Sequence, residues 1–393
     1  MINNISDLGF YSVPLLTQSI PGLLISLGGL FMTGSALAQA SQNTSLDGIP
    51  ILLQTNCILA FKGNIELIFA LYLSSLSQSS VFSYKKYFRY IFDNSNLVIA
   101  QSAVIGLVIG LLGIISNLLI GETDTGINVV VLTASLISCI ISSILFIMLL
   151  VTSIEASKLF EINPDNIILP TISSLGDYIN VRTLIYLATW LKTIPIPSCL
   201  AYLLVSSSII PFCLCFALIS KKRLPLQSIE VLLTTYAIST ISGYVLESFR
   251  KVFPILTPSF PVFSGMSVSI AFIYLHKIFT SINNQTVHNS KESHATLVLI
   301  SILMSAIYLA ASSIMGLNYP YCFYILFTLF FIVQVTILLK AVTFLIEYLD
   351  KYEDDTGVLA LPLITSISDV LATIFLLTIS VILLILNTNN TIY

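Results

Sequence analysis

Charged residues are scarce in this sequence, and their scarcity limits what the protein can be. Lysine, arginine, aspartate and glutamate make up 9% of the 393 residues, whereas a soluble domain carries about 25%. Hydrophobic residues make up 56% of the chain, and the mean hydropathy is +0.98. So few charges could not cover the surface of a soluble fold of this size. The sequence therefore predicts a polytopic membrane protein and excludes a cytosolic enzyme or a secreted domain.

Basic clusters and histidines are also few. The longest basic run is Lys221-Lys222-Arg223 and the net charge is −3, so we predict no nucleic-acid partner. The chain has three histidines, and none of them lies near the closely spaced Cys213 and Cys215. We therefore interpret the six cysteines as small apolar packing residues and predict no permanently bound cofactor.

Apolar segments long enough to cross a membrane recur along the whole chain. A spanning helix needs roughly 20 residues. Polar residues divide the sequence into eleven predicted spans, near 20–40, 49–77, 96–120, 127–153, 166–190, 196–219, 226–246, 258–282, 295–315, 320–346 and 358–386. The remaining residues form short loops. We therefore predict an all-α membrane protein without a globular domain outside the membrane.

Lysines and arginines are distributed unequally over the predicted loops. Ten of them lie on the side of the membrane that carries the N-terminus, and three lie on the opposite side. Cytosolic loops carry an excess of basic residues, so we expect the N-terminus to be cytosolic and the C-terminus external. We expect a multi-pass protein of the plasma membrane.

Two similar motifs indicate an internal repeat. The segment PTISSLGD contains Pro170 and Asp177, and the segment PLITSISD contains Pro362 and Asp369 at the same seven-residue spacing. Both motifs lie early in a span that enters from the predicted cytosolic side. This correspondence suggests an old duplication.

The repeat predicts an architecture of two halves. Gly63 in the second span has a possible partner, Gly265, in the eighth. Five spans, one linker span and five further spans would start both halves on the same side, so the repeats would be parallel. We predict two five-helix repeats, residues 1–193 and 224–393, joined by a linker helix and a basic loop at 194–223. Such a chain would function as a monomeric pseudo-dimer.

The second span contains ionisable residues, which are costly inside a membrane unless they are paired or hydrated. Lys62, Gly63, Asn64 and Glu66 lie near its middle, in AFKGNIEL. Glycine followed by asparagine predicts a local break in the helix, where carbonyls and the Asn64 amide oxygen could line a polar cavity. The alternative is an internal salt bridge between Lys62 and Glu66, four residues apart. The two interpretations are compatible.

Asp177 and Asp369 are predicted to lie near the membrane midplane. Each is about ten residues into its span, which corresponds to a depth of roughly 15 Å. A carboxylate there needs a cation, a proton or water, and Arg182 is placed to pair only loosely with Asp177. The alternative is that both carboxyls are protonated or bonded to neighbouring hydroxyls, such as those of Ser173, Thr365 and Ser366.

The chemistry of these candidate ligands favours a hard divalent cation. Oxygen ligands without histidine or cysteine suit hard ions, and two carboxylates suit a divalent ion better than Na⁺ or K⁺. Mg²⁺ sheds its waters reluctantly, so proteins commonly hold it through a few carboxylates and retained waters. A wide polar site with few direct ligands would fit that ion.

Three motifs resemble those of the eukaryotic MgtE-like magnesium transporters, solute carrier family 41. The segment 49–75 resembles the second-span signature of that family, although the family's arginine falls on Tyr72. The residues that match are Lys62, Gly63, Asn64, Glu66, Ala70, Leu73 and Ser74. The segment 96–103, NLVIAQSA, resembles a further motif. The segment 162–179 is similar to the family's NPDN and SLGD motifs, and its matches are Asn163, Pro164, Asp165, Asn166, Pro170, Ser174, Leu175, Gly176 and Asp177.

The resemblance implies a function. It implies a transporter of divalent cations rather than an enzyme, with Mg²⁺ as the favoured transported ion and the lipid bilayer as its environment. The candidate ion ligands are then Asn64, Glu66, Asp165, Asn166, Asp177 and Asp369.

The second half departs from the family pattern. Ser264-Gly265-Met266 stands where the family has GGN, and the glycine before Asp369 is lost. Two alternatives therefore stay open: a transport-deficient membrane partner or regulator, and a transporter of another solute on the same scaffold.

Overall fold

The computed structural model describes residues 12–78, 84–121, 124–159, 164–193, 226–283, 290–317, 319–349 and 356–390. The regular structure within these ranges is helical, in agreement with the predicted fold class. The helices are α1 (Val13–Gln42), α2 (Ile51–Cys57), α3 (Gly63–Gln78), α4 (Tyr84–Ile120), α5 (Thr125–Leu159), α6 (Pro164–Thr193), α7 (Leu226–Phe249), α8 (Leu256–Asn283), α9 (Ser290–Ile314), α10 (Tyr321–Leu349) and α11 (Thr356–Asn390). A short 3₁₀ helix, Thr44–Leu46, precedes α2.

Helices lie at ten of the eleven predicted spans. The predicted linker span, 196–219, lies outside the described residues, so the count of eleven stays a prediction. Within the described ranges, seven helical segments are long and apolar enough to cross a membrane. They are Leu15–Gln42, Asn94–Ile120, Thr125–Ala156, Leu256–Phe279, Ser290–Ile314, Tyr321–Leu349 and Leu359–Leu386.

The predicted second span is interrupted, but the form of the interruption differs from the prediction. A π-helical turn, Ile58–Lys62, joins α2 to α3, and Gly63 itself has helical backbone angles (φ −58°, ψ −41°). The interruption is therefore a widened helical turn before the glycine rather than an unwound segment at it. Such π turns frequently occur at functional sites, because they release local backbone groups from the regular α-helical pattern.

Close helix contacts place α1 between α6 and α8. Helix α1 packs against α6 on one side and α8 on another, while α2 packs against α7. A Cβ atom at Gly34 would lie 2.2 Å from the carbonyl oxygen of Pro258, so only glycine permits this approach of α1 to α8. Helix α11 packs against α7, α8 and α10.

The outer surface of the helix assembly is apolar. Ile314, Ile325 and Leu119 are 85%, 72% and 71% exposed, respectively. Large exposed apolar faces on helices of this length suit contact with lipid rather than water. The protein is therefore an integral membrane protein, as its composition predicts.

Candidate ion site

A polar cavity of about 70 Å³ lies between helices from the two ends of the chain. Its walls come from α1, α2, the π turn, α3, α6, α8 and α11. Asp177 from α6 and Asp369 from α11 both line it, together with Asn64 from α3. The volume is large enough for several water molecules. Two predicted carboxylates and the predicted amide thus share one cavity.

Seryl hydroxyls from two neighbouring helices hold the carboxylate of Asp369. Ser264 Oγ on α8 donates to Asp369 Oδ1 at 2.6 Å, and Ser239 Oγ on α7 donates to Oδ2 at 2.9 Å. The sequence predicts hydroxyl partners for Asp369, but at Thr365 and Ser366 rather than at Ser264 and Ser239. Thr365 and Ser366 instead donate to carbonyls of their own helix, those of Pro362 and Leu363.

Asp177 has a different environment. Its carboxylate has no hydrogen-bond or ion-pair partner within the part of the chain that the structure describes. A Cβ atom at Gly63 would lie 3.9 Å from Asp177 Oδ1, so the start of α3 passes close to this oxygen. Arg182 is exposed and forms no ion pair with Asp177. Asp177 therefore presents to the cavity a carboxylate that has no hydrogen-bond partner among the described residues.

Asn64 connects the two halves of the chain across the cavity. Its Nδ2 donates to Thr365 Oγ1 at 3.0 Å and also to the carbonyl of Ala60 in the π turn. The Thr365 hydroxyl lies 3.1 Å from Asn64 Oδ1 and 2.8 Å from the Pro362 carbonyl, so its single proton has two acceptors. The amide oxygen can therefore give up this bond without leaving the threonine unsatisfied.

Glu66 lies away from the cavity, in a buried ion pair. Its Oε1 pairs with Lys62 Nζ, and both side chains are fully or almost fully buried. Lys62 also donates to Asn180 Oδ1 at 2.7 Å, and Ser143 donates to Glu66 Oε1 at 3.1 Å. The internal salt bridge considered in the sequence analysis is therefore present. Glu66 is not among the residues that line the cavity, and its ligand role stays a prediction.

A neutral hydrogen-bond network lies beside α8. Gln334 Nε2 on α10 donates to Ser267 Oγ at 2.8 Å and to Ser368 Oγ at 3.0 Å. Both serines donate in turn to the carbonyl of Ser264. Uncharged side chains of α8, α10 and α11 thus satisfy one another in this region.

Two candidate ligands and one cysteine pair lie wholly or partly outside the residues that the structure describes. Asp165 and Asn166 belong to the first turn of α6, but their side chains lie outside the described residues. The Cys213 and Cys215 pair does so entirely. Among described residues, no group of three or more His, Cys, Asp or Glu side chains forms a metal cluster. The cavity therefore offers few direct ligands, which are carboxylate, amide and hydroxyl oxygens.

The fold and the cavity define a class: a polytopic membrane protein with carboxylates facing a polar cavity between its helices. Comparison with known proteins identifies the relatives. Residues 55–189 match the family model of MgtE, described as a divalent cation transporter. The resemblance inferred from the motifs is thereby confirmed over this segment. It contains Asn64, Glu66 and Asp177, whereas Asp369 lies beyond it.

Two curated relatives carry the name solute carrier family 41 member 3. The protein of Rattus norvegicus is 28% identical over 179 residues, which cover 44% of this chain and 38% of the rat protein. The protein of Mus musculus is 28% identical over 138 residues, which cover 34% of this chain and 28% of the mouse protein. The chain thus spans less than two fifths of either relative. No solved structure matches the chain significantly.

Proposed function

We propose that this protein transports divalent cations across a membrane, with Mg²⁺ as its principal substrate. The ion would pass between Asp177 and Asp369, beside the amide of Asn64. The observation that carries the proposal is that these two carboxylates, far apart in the sequence, line one polar cavity. The match of residues 55–189 to a divalent cation transporter family supports the same function.

The chemistry of the cavity favours a hydrated divalent ion. Two carboxylates would carry two negative charges, which a single divalent cation balances. Carboxylate, amide and hydroxyl oxygens are the ligands that hard cations prefer. Mg²⁺ usually keeps several of its waters when it binds a protein, and a cavity of about 70 Å³ leaves room for them.

We also propose that two parallel five-helix repeats, 1–193 and 224–393, form the walls of this pathway. Helix α1 packs against α8, and α7 packs against α2, as a pseudo-twofold exchange of the halves requires. Gly63 and Gly265, the predicted partners, both line the cavity. The segment 194–223 would join the repeats, so that one chain acts as a pseudo-dimer.

The other candidate residues receive separate roles in this proposal. Glu66 acts through its pair with Lys62, the last residue of the π turn that precedes Asn64. Asp165 lies twelve residues before Asp177, or roughly 18 Å along α6. We assign Asp165 and Asn166 to the cytosolic mouth of the pathway, in a plasma-membrane protein with a cytosolic N-terminus.

Flux measurements in proteoliposomes test the proposal directly. The purified full chain should admit Mg²⁺ down its gradient, and Mn²⁺, Co²⁺ and Ca²⁺ should compete. The variant that carries both Asp177→Asn and Asp369→Asn is the matched control and should lose the flux while remaining folded. If the double variant transports Mg²⁺ as well as the wild type, the ion does not pass this pair. If the wild type carries no flux under any gradient, the regulator alternative is favoured.

A further inference from the structure

The two carboxylates of the cavity have unequal surroundings. Each oxygen of Asp369 accepts one seryl hydrogen bond, from Ser264 at 2.6 Å and from Ser239 at 2.9 Å. Both serines are buried. Asp177 has no such partner in the described ranges. Hydrogen bonds to a charged acceptor are stronger than neutral ones, so Asp369 is held in one orientation while Asp177 can turn toward an ion.

This difference arises from a substitution between the halves. When the sequences of the two proposed halves are aligned on Gly63 and Gly265, Ser264 aligns with Lys62. Lys62 turns away from the cavity to pair with Glu66, whereas Ser264 lines the cavity and binds Asp369. The first half therefore provides a carboxylate without a hydroxyl partner among the described residues, and the second half provides one held by two hydroxyls.

A carboxylate whose orientation is fixed by hydrogen bonds can discriminate between cations, because cations differ in how many of its oxygens they bind. Ca²⁺ accepts six to eight ligands in flexible geometry and often takes both oxygens of one carboxylate, whereas Mg²⁺ requires an octahedron and keeps its waters. An Asp369 that cannot turn does not rearrange to bind Ca²⁺ through both oxygens. The remaining lone pairs of its oxygens can still accept hydrogen bonds from waters bound to Mg²⁺.

We propose that Ser239 and Ser264 are positioning residues that set ion selectivity, because they hold Asp369 to bind the ion through its water while Asp177 contacts the ion directly. This inference rests on the proposed transport of divalent cations. It predicts that the two hydroxyls matter more for the exclusion of Ca²⁺ than for the passage of Mg²⁺.

The test compares Ca²⁺ competition in serine variants of the full chain. In the variant that carries both Ser239→Ala and Ser264→Ala, half-inhibition of Mg²⁺ flux should need about tenfold less Ca²⁺, since two hydrogen bonds to a charged group are lost. Each single variant should show an intermediate shift. The KM for Mg²⁺ should change much less than the Ca²⁺ inhibition constant. A purely structural role would change both alike or neither.

Ser242→Ala is the matched control. Ser242 is also buried on α7, but its hydroxyl bonds to Thr373 and to the backbone carbonyl of Asp369, not to the carboxylate. The Ser242→Ala variant should keep the wild-type preference for Mg²⁺ over Ca²⁺. If the double serine variant also keeps this preference, the inference is wrong. If the double variant does not fold, the single variants decide in the same way.

A second measurement separates this inference from the proposed function. Ligands that bind the folded state raise its thermal midpoint, so Mg²⁺ and Ca²⁺ titrations of detergent-purified protein report binding without transport. Wild type that neither transports Mg²⁺ nor is stabilised by it would refute the proposed function and this inference together. If the wild type binds Mg²⁺ but the serine variants have the same preference for Mg²⁺ over Ca²⁺ as the wild type, the inference alone is refuted.

Discussion

At the scale of single residues, the cavity is asymmetric because Asp177 and Asp369 differ in what already binds them. Two hydroxyls satisfy Asp369, while Asp177 has no partner among the described side chains. In the proposed pathway, a cation that enters the cavity would gain most by approaching Asp177, whose carboxyl group has no other partner to satisfy. The amide oxygen of Asn64 is the next group able to turn to the ion, because Thr365 has a second acceptor.

The two aspartates should therefore differ in their sensitivity to substitution. Asp177→Asn should reduce Mg²⁺ flux by about tenfold or more, since an unshielded charge a few ångströms from a divalent ion contributes several kcal/mol. Asp369→Asn should reduce flux less, because its hydrogen bonds with Ser239 and Ser264 can be kept by the amide oxygen and water. Proteoliposome flux measures both. Equal loss in both variants would contradict the asymmetry and indicate a shared symmetric site.

The buried pair of Lys62 and Glu66 leads to a prediction about stability. Glu66→Gln or Lys62→Met alone should lower the free energy of unfolding by about 3–5 kcal/mol, because one buried charge loses its partner. The double variant should recover most of this loss, which the thermal midpoint in detergent would report.

Transport by the same double variant distinguishes two roles for the pair. If it transports Mg²⁺ like the wild type, the pair acts only through the structure of α3 and the π turn. If its stability recovers but transport stays low, Glu66 contributes to the pathway itself, and its assignment as a structural residue is wrong.

At the scale of helices, small residues and the π turn determine how closely the elements meet. The predicted break in the second span is a π turn over Ile58–Lys62, and Asn64 bonds back to the carbonyl of Ala60 within it. Because the chain stays helical through Gly63, Asn64 reaches the cavity while Glu66 remains directed at α5 and α6. A fully unwound segment would not impose these two opposite directions.

Glycines on α1 permit a test of the contact between the halves. Gly34→Ala should destabilise the protein by about 1–3 kcal/mol, since the new Cβ would overlap the Pro258 carbonyl of α8. Gly28→Ala on the same helix is the control, because a Cβ there meets nothing within 4 Å. Thermal unfolding in detergent should separate the two variants. Equal midpoints would show that α1 and α8 do not approach this closely.

At the scale of the whole molecule, the proposed pathway lies between two halves that have the same orientation in the membrane but different buried polar side chains. The first half carries the charged pair and an unshared aspartate, while the second carries a neutral network around Gln334 and Ser368. The family match covers residues 55–189, which belong to the first half. Asp369, which also lines the cavity, lies beyond that match.

Topology is the prediction that belongs to this scale. The predicted odd number of spans and the basic bias of the predicted loops place the two chain ends on opposite sides of the membrane. Tags at each end should become accessible to a protease or an antibody from different sides in intact cells. If both tags are cytosolic, the span count is even, and the parallel arrangement of the repeats is lost with it.

The positions of the helices and of the isolated polar residues could be predicted from the sequence alone. Lipid requires continuous apolar segments of roughly 20 residues, so their approximate limits are visible in the pattern, and ten predicted spans coincide with helices. Asn64, Asp177 and Asp369 stand out in the sequence for a related reason, because polar groups in such segments are costly.

Only the tertiary structure decided which polar groups serve the cavity. Serine is frequent in these helices and usually donates to a carbonyl of its own helix, as Ser19 and Ser248 do. No local pattern distinguishes Ser239 and Ser264, which instead reach another helix to bind Asp369. Glu66 likewise appears in the sequence as a candidate ligand, but Asn180 and Ser143 hold it away from the cavity. The orientations of these side chains depend on hydrogen-bond partners that are distant in the sequence, so they cannot be predicted from the local sequence.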